Sequence, residues 1–355
     1  MKVFIATSIV IIICFIFIFV GFELNNENNS LTYDYEQEDL SNQIVINFSH
    51  VVAENTPKGL AAQKFAKLTE RKTNGKVKVA VFPNGVLYAE GEEVDALIRG
   101  EVQMIAPAYS NMSELIPEWL ILDLPYIFKD YEHVEAVLNG EVGKALLEKL
   151  QKHNIKGVAF WSNGFKQMTS NRNPLRKPSD FLGQRFRIMP SKALEDQFRM
   201  LGVRTNAMPF NQVYPNLENR FLDGQENTIS NIYSKGFYKV QKYMTISNHG
   251  YLGYAVMMNQ EFWDSLPEDL QQKIQEAMDE TTDWLFSESI AINQQQLELI
   301  KSSSDIQIYE LTDEERQQWI DFFQPLYEEY GERYGEKWIQ EIQKLEPNGI
   351  KDKRD

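Results

Sequence analysis

Cationic residues on strand-like segments are what this 355-residue chain offers for chemistry. In Gln184-Arg185-Phe186-Arg187-Ile188-Met189-Pro190, the period of two puts Arg185 and Arg187 on one strand face. Burying a charge without a partner is costly. Two readings therefore stand: two exposed arginines on an edge strand, or a guanidinium at a strand end that forks onto a carboxylate. Lys166, in Asn163-Gly164-Phe165-Lys166, opens the preceding strand and admits the same two readings. The four histidines, His50, His133, His153 and His249, are too far apart in sequence for a metal pair such as H-E-x-x-H. His133 and His153 fall among charges on expected helices and read as solvent-facing. His50 and His249 sit at strand ends beside loops that can face a cleft, with a structural role as the plainer alternative. No G-x-S-x-G, P-loop or G-x-G-x-x-G occurs. The acidic pairs Glu92-Glu93 and Glu314-Glu315 read as solvated helix faces. These residues suggest binding of a small anion and give no sign of an enzyme, a cofactor or a metal site.

The elements that must position these residues alternate between strand and helix. IVINFSH (44–50) is strand-like. Thr56-Pro57 starts a helix with Pro at its first position, and Leu60, Ala61, Phe65 and Leu68 give it an apolar face. KVKVAVF (76–82) alternates as a strand. A helix over about 90–99 stops at Gly100, and strand VQMIAPA follows. Residues 131–152 read as two short helices broken at Gly140, and KGVAFW (156–161) as a strand. A second block continues with strands KQMTSN and 184–189, helix 191–201, strand 203–208 and helix 211–221. Strand YLGYAVMM (251–258) reads as crossing back to the first block. Pro267 to Ser302 carries no internal Gly or Pro. It reads as one helix of about 50 Å that can brace two lobes, or as two helices broken near Thr281-Thr282. Residues 306–345 add a short strand and aromatic-rich helices. Repeated βα units give an α/β class, a sheet with helices on its faces.

Composition limits the partners. From Glu23 onward the chain carries a net charge of −16, which argues against nucleic acid and anionic lipid surfaces. An anion site must then be a local cationic pocket working against the global field. Cys14, the only cysteine, lies in the N-terminal apolar run, so the folded part has no disulfide and no thiolate metal site. Residues 3–22 are uncharged and mostly apolar, long for a signal-peptide core and long enough to span a membrane. They read as an uncleaved anchor, with a cleaved signal and a lipoprotein as alternatives. Each places the folded part outside the cytoplasmic membrane. Residues 25–43 are polar and acidic and read as a flexible tether.

With these residues in view, the chain resembles the DctP family, the extracytoplasmic solute-binding subunits of tripartite ATP-independent periplasmic (TRAP) transporters. The resemblance covers about residues 44–345. It is carried by FSHVVAENTPKGLAAQKFAKL (48–68), GKVKVAVFPNGVLY (75–88), ALIRGEVQMIAP (96–107), LDLPYIF (122–128), NGFKQMTSN (163–171), LGQRFRIMPS (182–191) and DGQENTISNIYSKGFYKVQKYM (223–244). It is strongest toward members that bind C4-dicarboxylates. It implies a two-lobed periplasmic-binding-protein-like fold with crossing strands and a long bracing helix. Lobe I would be 44–163 plus 252–291 and lobe II 164–251 plus 292–347. Residues 1–22 would be the signal or anchor, 23–43 the tether and 348–355 a tail. The resemblance further implies that Arg187 clamps a ligand carboxylate with Asn227 beside it. Lys166 would neutralise a second carboxylate, and Lys58 and Ser110 would face the cleft; His50 joins these ligand-binding candidates from its strand-end position alone. The ligand would be malate, fumarate, succinate or another small organic acid. The partners would be TRAP permease membrane subunits, with a two-component sensor kinase as the alternative reading.

Overall fold

The strand segments that the sequence separates at Gly164 form one strand in the computed structural model, which describes residues 43–334 and 336–345. The first block contains β1 (Ile44–Ser49), α1 (Pro57–Lys72), β2 (Val77–Phe82), α2 (Glu93–Ile98) and β3 (Met104–Ile105), followed by α3 (Tyr131–Leu138) and α4 (Glu141–Glu148). The long strand β4 (Ile155–Ser170) leads into β5 (Arg185–Ile188), α5 (Lys192–Met200), β6 (Arg204–Ala207), α6 (Val213–Glu218), β7 (Gly224–Thr228) and α7 (Ile229–Ser234). Strand β8 (Tyr243–Asn259) returns, followed by α8 (Gln260–Ser265), α9 (Glu268–Ser303), β9 (Gln307–Glu310), α10 (Asp313–Tyr334) and α11 (Glu336–Lys344).

The described strands form one sheet in the order β2-β1-β3-β8-β4-β7-β5-β6, with β9 also paired to β8. β4 and β8 are antiparallel over almost their whole lengths, with register shifts that include Ser162/Gly164 and Lys166/Met168. Their far ends serve different neighbours. Met257 and Met258 of β8 pair with β3, whereas residues 166–170 of β4 pair with β7. Both strands therefore cross from one lobe to the other. Gly164 has φ +143°, where a Cβ is rarely tolerated. The segments read as separate strands over 156–161 and 166–171 belong to one continuous strand with a register shift at this glycine.

Helix α9 has 36 residues, about 54 Å at 1.5 Å each, with no break at Thr281-Thr282. Both hydroxyls bond back to carbonyls four residues earlier, Thr281 to Ala277 (2.7 Å) and Thr282 to Met278 (2.9 Å). The helix packs on α1, β4 and α7 and so touches both lobes. Asn293 donates to Asn163 O (2.7 Å) and accepts from Ser230 N (2.9 Å), tying α9 to the β4 crossover and to α7. Trp161 Nε1 donates to Thr282 Oγ1 (3.1 Å).

The expected strand over 102–108 is short: β3 holds two residues, and Ala108 forms a separate bridge with Tyr254. His133 is buried, a correction to its solvent-facing reading. Its Nδ1 accepts from Lys129 N (3.1 Å) and its Nε2 bonds Ile342 O (2.7 Å), which fastens α3 to α11. Among the described residues no helix is long and apolar enough to cross a membrane. The anchor, most of the tether and the C-terminal tail (residues 1–42 and 346–355) lie outside the described residues.

Candidate functional site: a cationic cleft at the strand crossing

Where the two lobes meet, a small cavity is lined by Lys58, Arg187 and Asn227 together with Glu90, Glu93, Asn111, Asn231 and Tyr254. Arg187 comes from β5, held in register by β6 on one side and β7 on the other. Its side chain is 2% exposed. The Nε and Nη2 groups both donate to Met208 O (3.0 and 2.9 Å), and Glu90 Oε2 stands 3.7 Å from Nη2. Burial lowers its pKa while Glu90 and Glu226 oppose that shift. A guanidinium nonetheless stays charged. Its strand neighbour Arg185 has a different fate. It is part exposed and forks onto Asp223 through Nε and Nη2, each at 3.1 Å. One arginine is thus a surface pair and the other a buried cation at a cavity.

Lys58 is placed by the start of α1. Thr56 caps the helix by accepting from Gly59 N (3.2 Å), and Pro57 occupies the first position. The ammonium donates to Ala106 O (2.8 Å) and lies 3.8 Å from the centroid of the Tyr254 ring, a cation–π arrangement. Burial pulls Lys58 down to about 8, against the pull of Glu93 and Glu90. Burial pushes Glu93 up to about 8, against Lys58. Burial thus disfavours the charged form of both partners, while each charge favours the other.

Asn227 lies on β7 opposite Gln167 of β4. Its Oδ1 accepts from Asn231 Nδ2 (2.7 Å) and from Thr228 N (3.1 Å), which orients its amide. Asn231 follows Thr228, the cap of α7. Asn163 Nδ2 donates to Tyr254 Oη (2.8 Å). Polar groups from β5, β7, β8, α1, α2 and α7 therefore converge on one small space.

Lys166 is not among the residues that line the cavity. Its ammonium is buried and bonds Glu226 Oε1 at 2.8 Å, with 2% and 1% of the two side chains exposed. Glu226 Oε2 bonds His249 Nε2 (2.8 Å), and His249 Nδ1 bonds Ser247 Oγ (2.7 Å). Burial would raise Glu226, but Lys166 and His249 outweigh it and hold the carboxyl at about 2. Burial lowers His249, against the pull of Glu226. Lys166 is thus already neutralised within the crossing strands.

Ser110 and His50 also lie off the cavity lining. Ser110 donates to Asp123 Oδ1 (2.7 Å), whose Oδ2 accepts from Ser191 (2.6 Å). Burial raises Asp123, with Lys166 and the two serines opposing. His50 is fully buried against Phe48, with no hydrogen-bond partner at either ring nitrogen. Burial, reinforced by Lys58, lowers it to about 3.

Glu90, Glu93, Asn231 and Tyr254 were not among the sequence candidates. Glu93 was read as half of a solvated acidic pair, yet it is 2% exposed. It precedes Ala96 and Leu97, both buried, by three and four residues, so it shares their helix face. That spacing was available in the sequence. Glu90 belongs to a loop, and no periodicity marks it. Among the described residues no group of three or more His, Cys, Asp or Glu can hold a metal ion.

Comparison with known proteins accords with this architecture. Residues 48–333 match the bacterial extracellular solute-binding proteins, family 7 (DctP). The chain is 50% identical over 327 residues to the C4-dicarboxylate-binding protein DctB of Bacillus subtilis, covering 92% of this chain and 93% of that protein. It is 46% identical over 301 residues to the C4-dicarboxylate-binding periplasmic protein DctP of Rhodobacter capsulatus, covering 84% and 90%. A crystal structure of a TRAP periplasmic solute binding protein from Sulfurospirillum deleyianum with bound succinate is 40% identical. It superposes with a TM-score of 0.82, covering 86% of this chain and 99% of that one. A Pseudomonas aeruginosa counterpart with bound L-malate is 35% identical, with a TM-score of 0.78 and coverage of 81% and 100%. On this evidence the chain is a two-lobed α/β protein and belongs to the DctP family of bacterial extracellular solute-binding proteins.

Proposed function

We propose that this protein is the extracytoplasmic receptor of a TRAP transporter and that its ligand is a C4-dicarboxylate such as succinate, malate or fumarate. The observation that carries this reading is the buried pair of cations, Arg187 and Lys58, facing one cavity where β4 and β8 cross between lobes. Relatives named for C4-dicarboxylate binding, and similar structures holding succinate and L-malate, support the ligand class. Arg187 clamps one carboxylate by turning part of its guanidinium fork from Met208 O to the ligand, a charge-assisted geometry that lysine does not reproduce. Asn227 and Asn231 donate beside it. Lys58 takes the second carboxylate, with the Tyr254 ring behind its ammonium. Lobe closure about the crossing strands excludes water and strengthens these bonds. The closed form is then what the TRAP permease subunits recognise. The chemistry required is capture and release, for which roughly micromolar dissociation constants, about −8 kcal/mol, suffice.

The test is a melting-temperature screen of the folded domain against organic acids. A ligand at 100 times its dissociation constant stabilises by about 2.7 kcal/mol. Shifts with succinate, malate or fumarate and none with monocarboxylates are the expected result. Shifts confined to another acid class would keep the receptor and discard the dicarboxylate.

A further inference from the structure

The cavity carries acids as well as cations, and Glu90 is the one placed to act on a ligand. Its carboxylate spans the mouth of the cleft. Oε1 accepts from Asn111 Nδ2 (2.9 Å) on the first lobe, and Oε2 accepts from Phe210 N on the second, standing 3.7 Å from Arg187 Nη2. The closure it spans is also apolar: Val52 belongs to the same buried cluster as Phe210, Val213 and Phe237. The charged or titratable groups facing Glu90 come from every side. They are Arg187 on β5, Lys58 on α1, Glu93 on α2 and Tyr254 on β8, with Lys235 over the Phe210 ring at 5.1 Å.

These positions fix a charge balance. Arg187 and Lys58 are the two cations of the cavity lining, and burial pushes the neighbouring Glu93 toward its neutral form. The Glu90 carboxyl, 3.7 Å from Arg187 Nη2, competes with a ligand carboxylate for the same guanidinium. Two carboxylates forced together in a desolvated space relieve their repulsion by sharing a proton. We propose that Glu90 determines the charge selectivity of the cleft, so that a dicarboxylate binds together with one proton held between it and the Glu90 carboxylate. This deepens the receptor reading and rests on it. Glu90 is a specificity residue rather than a clamp: Arg187 supplies the attraction, and Glu90 decides the protonation state in which it is satisfied.

The experiment is calorimetric titration of succinate at pH 7 in two buffers of different ionisation enthalpy, which counts protons taken up on binding. Wild type is expected to take up close to one proton. Glu90→Gln keeps an acceptor for Phe210 N, removes the charge, and is expected to take up close to none while binding succinate at least about 10-fold more tightly at pH 8. The exposed Glu114→Gln, outside the cavity, is the control and retains the uptake, whereas uptake lost in Glu93→Gln would place the proton on the Lys58–Glu93 pair and overturn the role of Glu90. Binding without proton uptake in wild type, or equal uptake in Glu90→Gln, overturns the role of Glu90 and leaves the receptor reading standing. No binding of succinate by wild type overturns both.

Discussion

Replacing Lys166 by Met separates the two jobs this residue can have. If its ammonium serves the ligand, the variant loses affinity and folds normally. The structure gives it another job: Lys166 Nζ is 2.8 Å from Glu226 Oε1, and both side chains are almost fully buried. Removing one partner of a buried ion pair leaves the other charge uncompensated and costs about 3–5 kcal/mol. At about 2.1 cal/mol/K per residue, roughly 300 folded residues have an unfolding entropy near 0.6 kcal/mol/K, so the melting temperature should fall by about 5–8 °C. Glu226→Gln should cost a similar amount by stranding Lys166, although Gln still meets His249. The double variant should lose far less than the two singles added together, because neither charge is then left alone. Melting followed by circular dichroism, without ligand, gives all four corners of the cycle. A Lys166→Met variant that melts within about 1 °C of wild type yet no longer binds succinate would refute this reasoning and return Lys166 to the ligand.

Arg187→Lys keeps the charge and loses the fork, which is worth about 1.5–3 kcal/mol for a charge-assisted bond. Succinate affinity should fall about 10- to 100-fold by calorimetry, and near-wild-type affinity would remove Arg187 from the site. The pH dependence should be one-sided. Lys58 sits at about 8, below its ordinary value, and loses its charge above that pH, while Glu93, raised to about 8, gains a negative charge over the same interval. Both changes act against an anion, so affinity should weaken as pH rises through 8; titrations from pH 6 to 9 check this, and strengthening above pH 8 would contradict it. The stability linked to Glu226 runs the other way. Its folded value of about 2 lies below the ordinary carboxyl range, so this contribution is complete above about pH 4.5 and is lost as pH falls toward 2. Acid melts of wild type should lose stability across that window more steeply than Glu226→Gln. Gly59→Ala places a Cβ 2.3 Å from Ala53 O, against backbone, so the start of α1 must shift and carry Lys58 with it. Both the melting temperature and succinate affinity should drop.

Much of the fold was legible because its signals are local. The Thr56-Pro57 start of α1 is a capping signal, and the Gly- and Pro-free run after Pro267 became the 36-residue helix α9. The strands read over 156–161 and 166–171 are one strand for a tertiary reason: β8 continues alongside β4 through the register shift, so backbone pairing persists across Gly164. The site was legible where a cation interrupts a strand, as at Arg187, and where the family resemblance marked Asn227 and Lys58. Nothing local distinguishes Lys166 from Arg187. Both are cations in strand segments beside a glycine or proline, and Glu226, which neutralises one of them, is 60 residues from Lys166. Glu90 is invisible for the same reason. Its partners Asn111, Arg187 and Phe210 lie 21, 97 and 120 residues away.

The sheet explains how such distant groups can form a closing device. β4 and β8 run unbroken through both lobes as one antiparallel ribbon, with register shifts at Gly157/Ala159, Ser162/Gly164 and Lys166/Met168. That ribbon is held on one side by α9, through Ser289 on Ser162 (2.7 Å) and Asn293 on Asn163 O. Glu226 of β7 ties into it through Lys166 of β4 and His249 of β8. A buried ion pair at this point is a poor source of stability compared with an apolar core. It does fix the pairing of β4 with β7, because slipping one residue would strand a charge in the interior. The cleft cations then need only a fixed hinge behind them and a mobile wall in front. Arg187 rides on the second lobe with β5, Lys58 on the first with α1, and Glu90 reaches from the first lobe to the backbone of Phe210 in the second. Closure brings the two cations and the acid to their working distances in one movement, which is why ligand charge and lobe position should be coupled in this protein.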